Sequence, residues 1–196
     1  MSGASVICGL PAPLRPSAAR LYWDAFGGKL GRVMGPDPLA LRYLEAVIRP
    51  DHAIVALAQD GTLLGFAGFR SPAGAFAGGS FGQMRAVYGT IGAVWRTALL
   101  WLLERDIDND RLLLDGICVA REARGAGIGT RLMEGVFEEA RARGYPSVRL
   151  DVIDTNWRAR KLYERLGFVA VGTEPMGLAR HVFGYTSSTT MVRPVR

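Results

Sequence analysis

Between Leu112 and Phe168 an apolar run of strand length meets a glycine-rich turn and then a helix, and few architectures accommodate that order. The run LLLDGICVA, starting at Leu112, is long enough for one strand, and Arg121-Glu-Ala-Arg-Gly-Ala-Gly-Ile-Gly129 follows it. Ile128, Leu132, Met133, Val136, Phe137 and Ala140 then recur at helical spacing, which predicts a helix to about Arg143. Glu139 and Arg143 are placed to pair on its exposed face, and Gly144 suits its end. Val148, Leu150 and Val152 alternate with Arg149 and Asp151, the pattern of a strand with one buried side. A second helix carries Ala159, Leu162, Tyr163 and Leu166 on one stripe and stops at Gly167.

The chemistry of this stretch lies in its turn. Gly125, Gly127 and Gly129 leave the backbone bare, so successive N–H groups can approach an anion, and the dipole of the helix starting near Ile128 adds positive potential. The plainer alternative is a tight connection that merely needs glycine. Among nucleotide-binding turns, a P-loop requires Lys-Ser/Thr after its last glycine, and Thr130-Arg131 stand there instead. A dinucleotide fingerprint requires G-x-G-x-x-G, whereas this is G-x-G-x-G, far from a first strand–helix unit.

Arg124-Gly-Ala-Gly-Ile-Gly129 resembles the R/Q-x-x-G-x-G/A signature of the GNAT superfamily of N-acetyltransferases. Ile117-Cys-Val119 resembles that family's splayed fourth strand. Asn156-x-x-Ala159-x-x-Leu162-Tyr163-x-x-x-Gly167-Phe168 resembles its last-helix signature. The resemblance implies an α/β fold with a GNAT-type mixed, mostly antiparallel central sheet flanked by helices. It implies acetyl-CoA as cosubstrate. It assigns cofactor contacts to Ile117, Cys118, Val119, Arg124, Gly125, Ala126, Gly127, Ile128, Gly129, Thr130, Asn156, Arg160 and Tyr163. Backbone N–H near Val119 would face the acetyl carbonyl, a donor type worth about 2.7–4 kcal/mol. Tyr163 matches the family tyrosine that protonates the CoA sulfur; the alternative is a core tyrosine on the Leu162–Leu166 stripe.

Asp115 stands out on chemical grounds. An aspartate in an apolar strand must be paired or open to a cleft. By strand parity it shares a face with Ile117 and Val119, so it is a candidate base or a site for a cationic acceptor; the alternative is a salt bridge to an arginine. Glu174, at the end of the expected sixth strand, is a second candidate base. His52 and His181 are far apart and show no ligand spacing, so no metal is expected.

The rest of the chain fits one domain, 1–196. Basic residues number 24 against 18 acidic, a net +6, and are spread out, so nothing calls for nucleic acid. Two cysteines, Cys8 and Cys118, do not form a disulfide framework, and the expected compartment is the cytoplasm. No signal peptide is recognisable. The nearest approach to a membrane span, from Ala86 to Leu103, has Arg96 at its centre, at a cost of about 2.5–3.5 kcal/mol in lipid. Ser5 to Leu10 reads as a first strand. Ser17 to Phe26 reads as a helix interrupted at Gly27-Gly28, and Asp37-Pro38 as the start of another, ending near Arg49. Ala53–Ala58 and Leu63–Arg70 form a hairpin about Asp60-Gly61. Ser71 to Gly82 reads as a mobile loop. A strand over Thr189–Val195 closes the sheet.

One segment departs from the family pattern. An apolar helical insertion at about 83–105 occupies the space where a hairpin usually joins the third and fourth strands. So much apolar surface must pack over its own domain, roofing the acceptor site with Trp95, or against a second subunit in a homodimer. The sequence thus points to an acetyl-CoA-dependent N-acetyltransferase that acts on a primary amine of a small molecule by direct attack. A protein N-terminus or lysine as acceptor, and a non-catalytic CoA-binding module, are the alternatives.

Overall fold

The computed structural model describes residues 3–101, 110–177 and 180–195. Strand β1 (Ser5–Cys8) leads into helices α1 (Arg15–Met34) and α2 (Asp37–Val47), then β2 (Ala53–Leu57), β3 (Leu63–Ser71) and the short β4 (Gly74–Ala75). Helix α3 (Phe81–Trp101), β5 (Leu112–Val119), α4 (Ile128–Ala142) and β6 (Ser147–Ile153) follow. The described chain closes with α5 (Trp157–Arg165), β7 (Val169–Pro175), α6 (Arg180–Phe183) and β8 (Ser187–Pro194). The sheet runs β1-β2-β3-β5-β6-β8-β7, with β4 folded back on β3. Among the described residues only the β5–β6 pair is parallel; the other pairs are antiparallel. This is the mixed, mostly antiparallel sheet flanked by helices that the sequence implies.

Periodicity explains the face behind the glycine turn. Helix α4 buries Ile128, Leu132, Met133, Val136, Phe137 and Ala140, and β6 buries Val148, Leu150 and Val152 against them. Each large side chain contributes about 1.5–3 kcal/mol on leaving water. Glu139 pairs with Arg143 at 2.6 Å, and Gly144 ends the helix in a left-handed conformation (φ 80°). The opposite face is covered by α1 and α2, which bury Ala18, Ala19, Leu44 and Ile48 against Val55, Phe66 and Cys118.

Three readings need correction. Helix α1 is continuous through Gly27-Gly28. Each glycine costs about 1 kcal/mol in a helix, but the Trp23 indole lies against Gly27, where a Cβ would sit 3.1 Å from the ring. Strand β8 does not close the sheet at its edge; it inserts between β6 and β7, leaving β7 exposed outside it. Ser71 to Gly82 is not a free loop either. It turns back as β4, buries Phe76, and is tied down by Arg49, whose backbone N–H donates to Phe76 O at 2.8 Å and whose side chain donates to Ala73 O at 2.5 Å.

The insertion is present as α3, which kinks at Gly89 (φ 71°); its expected end, 102–105, lies outside the described residues. Arg96 fastens it. The guanidinium stacks on Tyr88 and Trp95 at 4.0 and 4.2 Å and donates to Gly35 O at 3.0 Å, while Tyr88 Oη donates to Met34 O at 2.5 Å. Among the described residues no helix is long and apolar enough to cross a membrane.

Beside the base of β4, Asp51, His52 and Ser71 stand in line: His52 Nε2 lies 3.0 Å from Ser71 Oγ and Nδ1 lies 3.1 Å from Asp51. His52 and Ser71 are 1% and 5% exposed, so the array resembles a hydrolytic triad only in order and acts as a buried polar pin. Ser71→Ala leaves His52 Nε2 without its hydrogen-bond partner and the Ala73 N–H without its acceptor. Urea unfolding should show a loss of about 1–3 kcal/mol at unchanged m-value.

Candidate functional site

Strands β5 and β6 pair at only three positions, Leu112↔Val148, Leu113↔Arg149 and Leu114↔Leu150, and then part. The cause is a bulge. On β3, Gly68 and Phe69 are adjacent, yet they pair with Gly116 and Leu114, so Asp115 is the extra residue. Bulges bend and over-twist their strand. The Phe26 ring presses on this point, 2.7 Å from where a Gly116 Cβ would be, so only glycine fits. Beyond the bulge, Ala120 N–H donates to Leu64 O. Antiparallel alternation then turns the Gly116 and Cys118 backbone toward β3, and the Ile117 and Val119 N–H and C=O toward the gap. Val119 O accepts from Arg124 Nε at 3.2 Å.

The same bulge corrects the expected strand parity. Asp115 and Gly116 fall on one side, so Asp115 does not share a face with Ile117 and Val119. Those two pack into the core beneath α4, and Cys118 is buried on the α1 side. Asp115 also faces the α1 side and forms the arginine pair that parity left as an alternative: Arg70 Nε is 3.3 Å from Oδ1, with both side chains 23% exposed. Burial raises the Asp115 carboxyl above its ordinary value, and the Arg70 cation opposes that shift.

At the far end of β5 lies the glycine turn. Gly125 and Gly127 have φ of 81° and 77°, which an L-residue adopts only under strain, and a Cβ on either would meet nothing within 4 Å. Gly127 caps α4, whose first N–H groups, at Ile128, Gly129 and Thr130, precede the first in-helix acceptor pattern and point outward with that of Ala126. Gly129 serves a different purpose: a Cβ there would lie 3.2 Å from Leu162, so its bareness lets α5 pack against α4. Because β5 and β6 are parallel and each leads into its helix, α4 and α5 begin at the same end of the sheet. A cavity of about 400 Å³ borders the turn, lined by Ala126, Ile128, Leu64 and the β2–β3 connection.

The remaining expected residues are placed as follows. Asn156 caps α5, its Oδ1 accepting from Ala159 N at 3.3 Å. Arg160 pairs with Glu164 at 2.9 Å, and Arg131 donates to Ala4 O at 2.6 Å. The Tyr163 ring is buried against Phe168, and its hydroxyl has no hydrogen-bond partner among the described residues; burial raises its pKa, keeping the proton on oxygen at neutral pH. Glu174 is exposed on the edge strand β7, paired in register with Ser188.

On the α1 side two cavities share Arg70 in their linings. One, of about 170 Å³, is lined by Asp115, Asp151, Tyr185 and Ser188 among others. The other, of about 300 Å³, lies among α1, α2 and α3 and includes Tyr22, Trp23, Tyr43, Met84 and Trp101. Thr97, Leu100 and Trp101 roof it; Trp95, the expected roof residue, does not line it. Sequence reasoning missed Arg70, Asp151, Tyr185 and Lys29, whose ammonium lies 5.5 and 5.9 Å from the Phe26 and Tyr185 rings. Only the polar alternation of Arg149 and Asp151 in β6 signalled any of them.

Comparison with known proteins gives this geometry a context. Residues 16–168 match the family model described as the acetyltransferase (GNAT) family. The chain is 40% identical over 103 residues to a probable N-acetyltransferase, camello, of Xenopus tropicalis, covering 53% of this chain and 42% of that protein. It is 43% identical over 56 residues to the thialysine N-epsilon-acetyltransferase of Bos taurus, covering 29% of this chain and 33% of that protein. The chain thus spans less than half the length of these curated relatives. Among solved structures, an N-acetyltransferase from Staphylococcus aureus Mu50 superposes with a TM-score of 0.66 at 16% identity, covering 96% of this chain and 100% of the other. A nourseothricin acetyltransferase gives 0.50 at 27% identity, over 74% of this chain and 65% of the other.

The Asp115–Arg70 geometry has a direct readout. Followed by carboxyl-carbon NMR, Asp115 should titrate above the usual aspartate value of about 3.9, and Arg70→Gln, which removes the opposing cation, should raise it further.

Proposed function

The chain belongs to the acetyltransferase (GNAT) family, and on that premise we propose that this acyltransferase moves acetyl from acetyl-CoA to a primary amine of a small molecule. The observation that carries the reading is the β5–β6 gap, with outward backbone at Ile117 and Val119, a glycine turn at one end and a carboxylate across the sheet. The turn fits a pyrophosphate: left-handed glycines, open space above them and a row of N–H groups at a helix start. When bound, acetyl-CoA supplies the acyl group, whose bond to sulfur breaks as the bond to nitrogen forms.

The chain's own groups divide the work. Backbone N–H from Gly125 to Thr130 binds phosphate, with the Arg124 charge alongside. Ile117 and Val119 hold the pantetheine arm as an added strand, and N–H near Val119 faces the acyl carbonyl. Asn156 and Arg160 act from α5, the first by capping the helix, the second through its ion pair with Glu164. Tyr163 gives its proton to the leaving thiolate. Asp115 takes the proton that the amine loses, and its raised pKa makes it a better base than an ordinary aspartate. Glu174, on an exposed edge strand, is the remaining candidate base.

We read 1–196 as one catalytic domain working in the cytoplasm, with neither nucleic acid nor membrane as partner. The cavity shut in by α1, α2 and α3 favours a small acceptor over a protein N-terminus or lysine. A non-catalytic CoA-binding module would bind acetyl-CoA without turnover on any amine.

Two variants test the reading. Gly127→Asp places a carboxylate over the anion cradle, with room for the side chain but backbone strain at φ 77°; calorimetry should show acetyl-CoA binding lost while circular dichroism still reports a folded chain. Tyr163→Phe removes only a hydroxyl, so kcat should fall by about 10²–10⁴-fold with acetyl-CoA affinity retained; an unchanged kcat under rate-limiting chemistry would make Tyr163 a packing residue.

A further inference from the structure

We infer that the acceptor is a monoamine carried on an apolar, aromatic-sized body, and that polycationic amines are excluded; this rests on the acetyl-transfer reading above. The larger α1-side cavity, about 300 Å³, takes its walls from Tyr22, Trp23, Tyr43, Met84, Leu100 and Trp101. That volume suits one or two fused rings, and such walls reward apolar surface at about 25 cal/mol per Å². Arg70 lines both this cavity and the smaller one, and the smaller one is lined by Asp115 on the bulge. The inferred pose seats the ring among the aromatics and turns the amine past Arg70 toward Asp115.

The charges decide against the rival class. A polyamine or aminoglycoside needs several carboxylates to receive its ammonium groups. The two carboxylates of the smaller cavity already have arginine partners, Asp115 with Arg70 at 3.3 Å and Asp151 with Arg149 at 3.6 Å. Asp151 also accepts from Thr190 Oγ1 at 2.5 Å. The cation of Lys29 beside Tyr185 adds repulsion, and burial there lowers the lysine pKa. A second or third ammonium would meet arginines and a lysine. A single amine, arriving neutral, meets no such penalty. In the transfer the nitrogen forms a bond to the acyl carbon, the carbon–sulfur bond breaks, the amine proton passes to Asp115, and the thiolate takes one from Tyr163.

The experiment uses the full chain with acetyl-CoA, monitors thiol release, and compares 2-phenylethylamine and tryptamine with spermidine and kanamycin. The aromatic monoamines should show kcat/KM at least about 10-fold above the polycations, the scale on which apolar pockets discriminate. Trp101→Ala, at the exposed rim of the cavity where folding is not at stake, should raise KM for tryptamine about 10-fold without changing acetyl-CoA affinity. Thr97→Trp, filling the cavity from its roof, should remove tryptamine turnover while acetyl-CoA still binds. Equal or better turnover of spermidine or kanamycin, or a Trp101→Ala enzyme with unaltered tryptamine KM, overturns the inference. Failure of the underlying reading is distinguishable, because wild-type protein would then bind no acetyl-CoA in calorimetry, or bind it and turn over none of the amines, whereas tryptamine binding in the same instrument would still report on the cavity.

Discussion

One extra residue in β5 governs the architecture of the site. Asp115 has no counterpart on β3, and the bend it forces ends the parallel pairing with β6 after Leu114. Without that bulge the two strands would zip together, their backbone groups would satisfy one another, and no gap would remain for a ligand to enter as a strand. The bulge also puts a carboxylate on the α1 side while Ile117 and Val119 turn their side chains to the α4 side. Its position is held from outside by the Phe26 ring on Gly116, so the first helix and the fifth strand are one mechanical unit.

Around this point the two faces of the sheet are specialised. The α4 side is a continuous apolar core with a glycine turn at its lip, and its glycines are not interchangeable. Gly125 and Gly127 supply backbone conformation, whereas Gly129 supplies clearance for Leu162. The α1 side is less uniform, with ion pairs and aromatic walls beside its aliphatic packing. Its roof, α3, is fastened by a stacked arginine and two hydrogen bonds to the end of α1.

What could be read in the sequence follows from how burial leaves its trace. Helix α4 and strand β6 each have one wet and one dry face, so their periods of 3.6 and 2 are written in the residues, and the buried sets match the reading position for position. The conformation of the turn and the place of Tyr163 on α5 were legible because motif and spacing coincide. The bulge was not: it depends on Phe26, distant in the chain, and strict alternation put Asp115 on the wrong face. Gly27-Gly28 misled for a similar reason, since local propensity is outweighed by Trp23 packing across it. The place of β8 between β6 and β7 is a long-range choice with no local signal. The two α1-side cavities collect residues from Tyr22 to Trp101 and from Tyr185, which only topology brings together.

The placement of the glycine turn and Asp115 on opposite sides of one strand bears on the order of events in a catalytic cycle. On the acetyl-transfer reading proposed above, donor and acceptor would approach the same stretch of β5 by separate doors, so neither would need to leave for the other to arrive. Such a plan favours a ternary complex over a covalently loaded enzyme, with double-reciprocal rate plots that intersect instead of running parallel. It also lets the two products depart independently, so a slow step at one door need not hold the other shut.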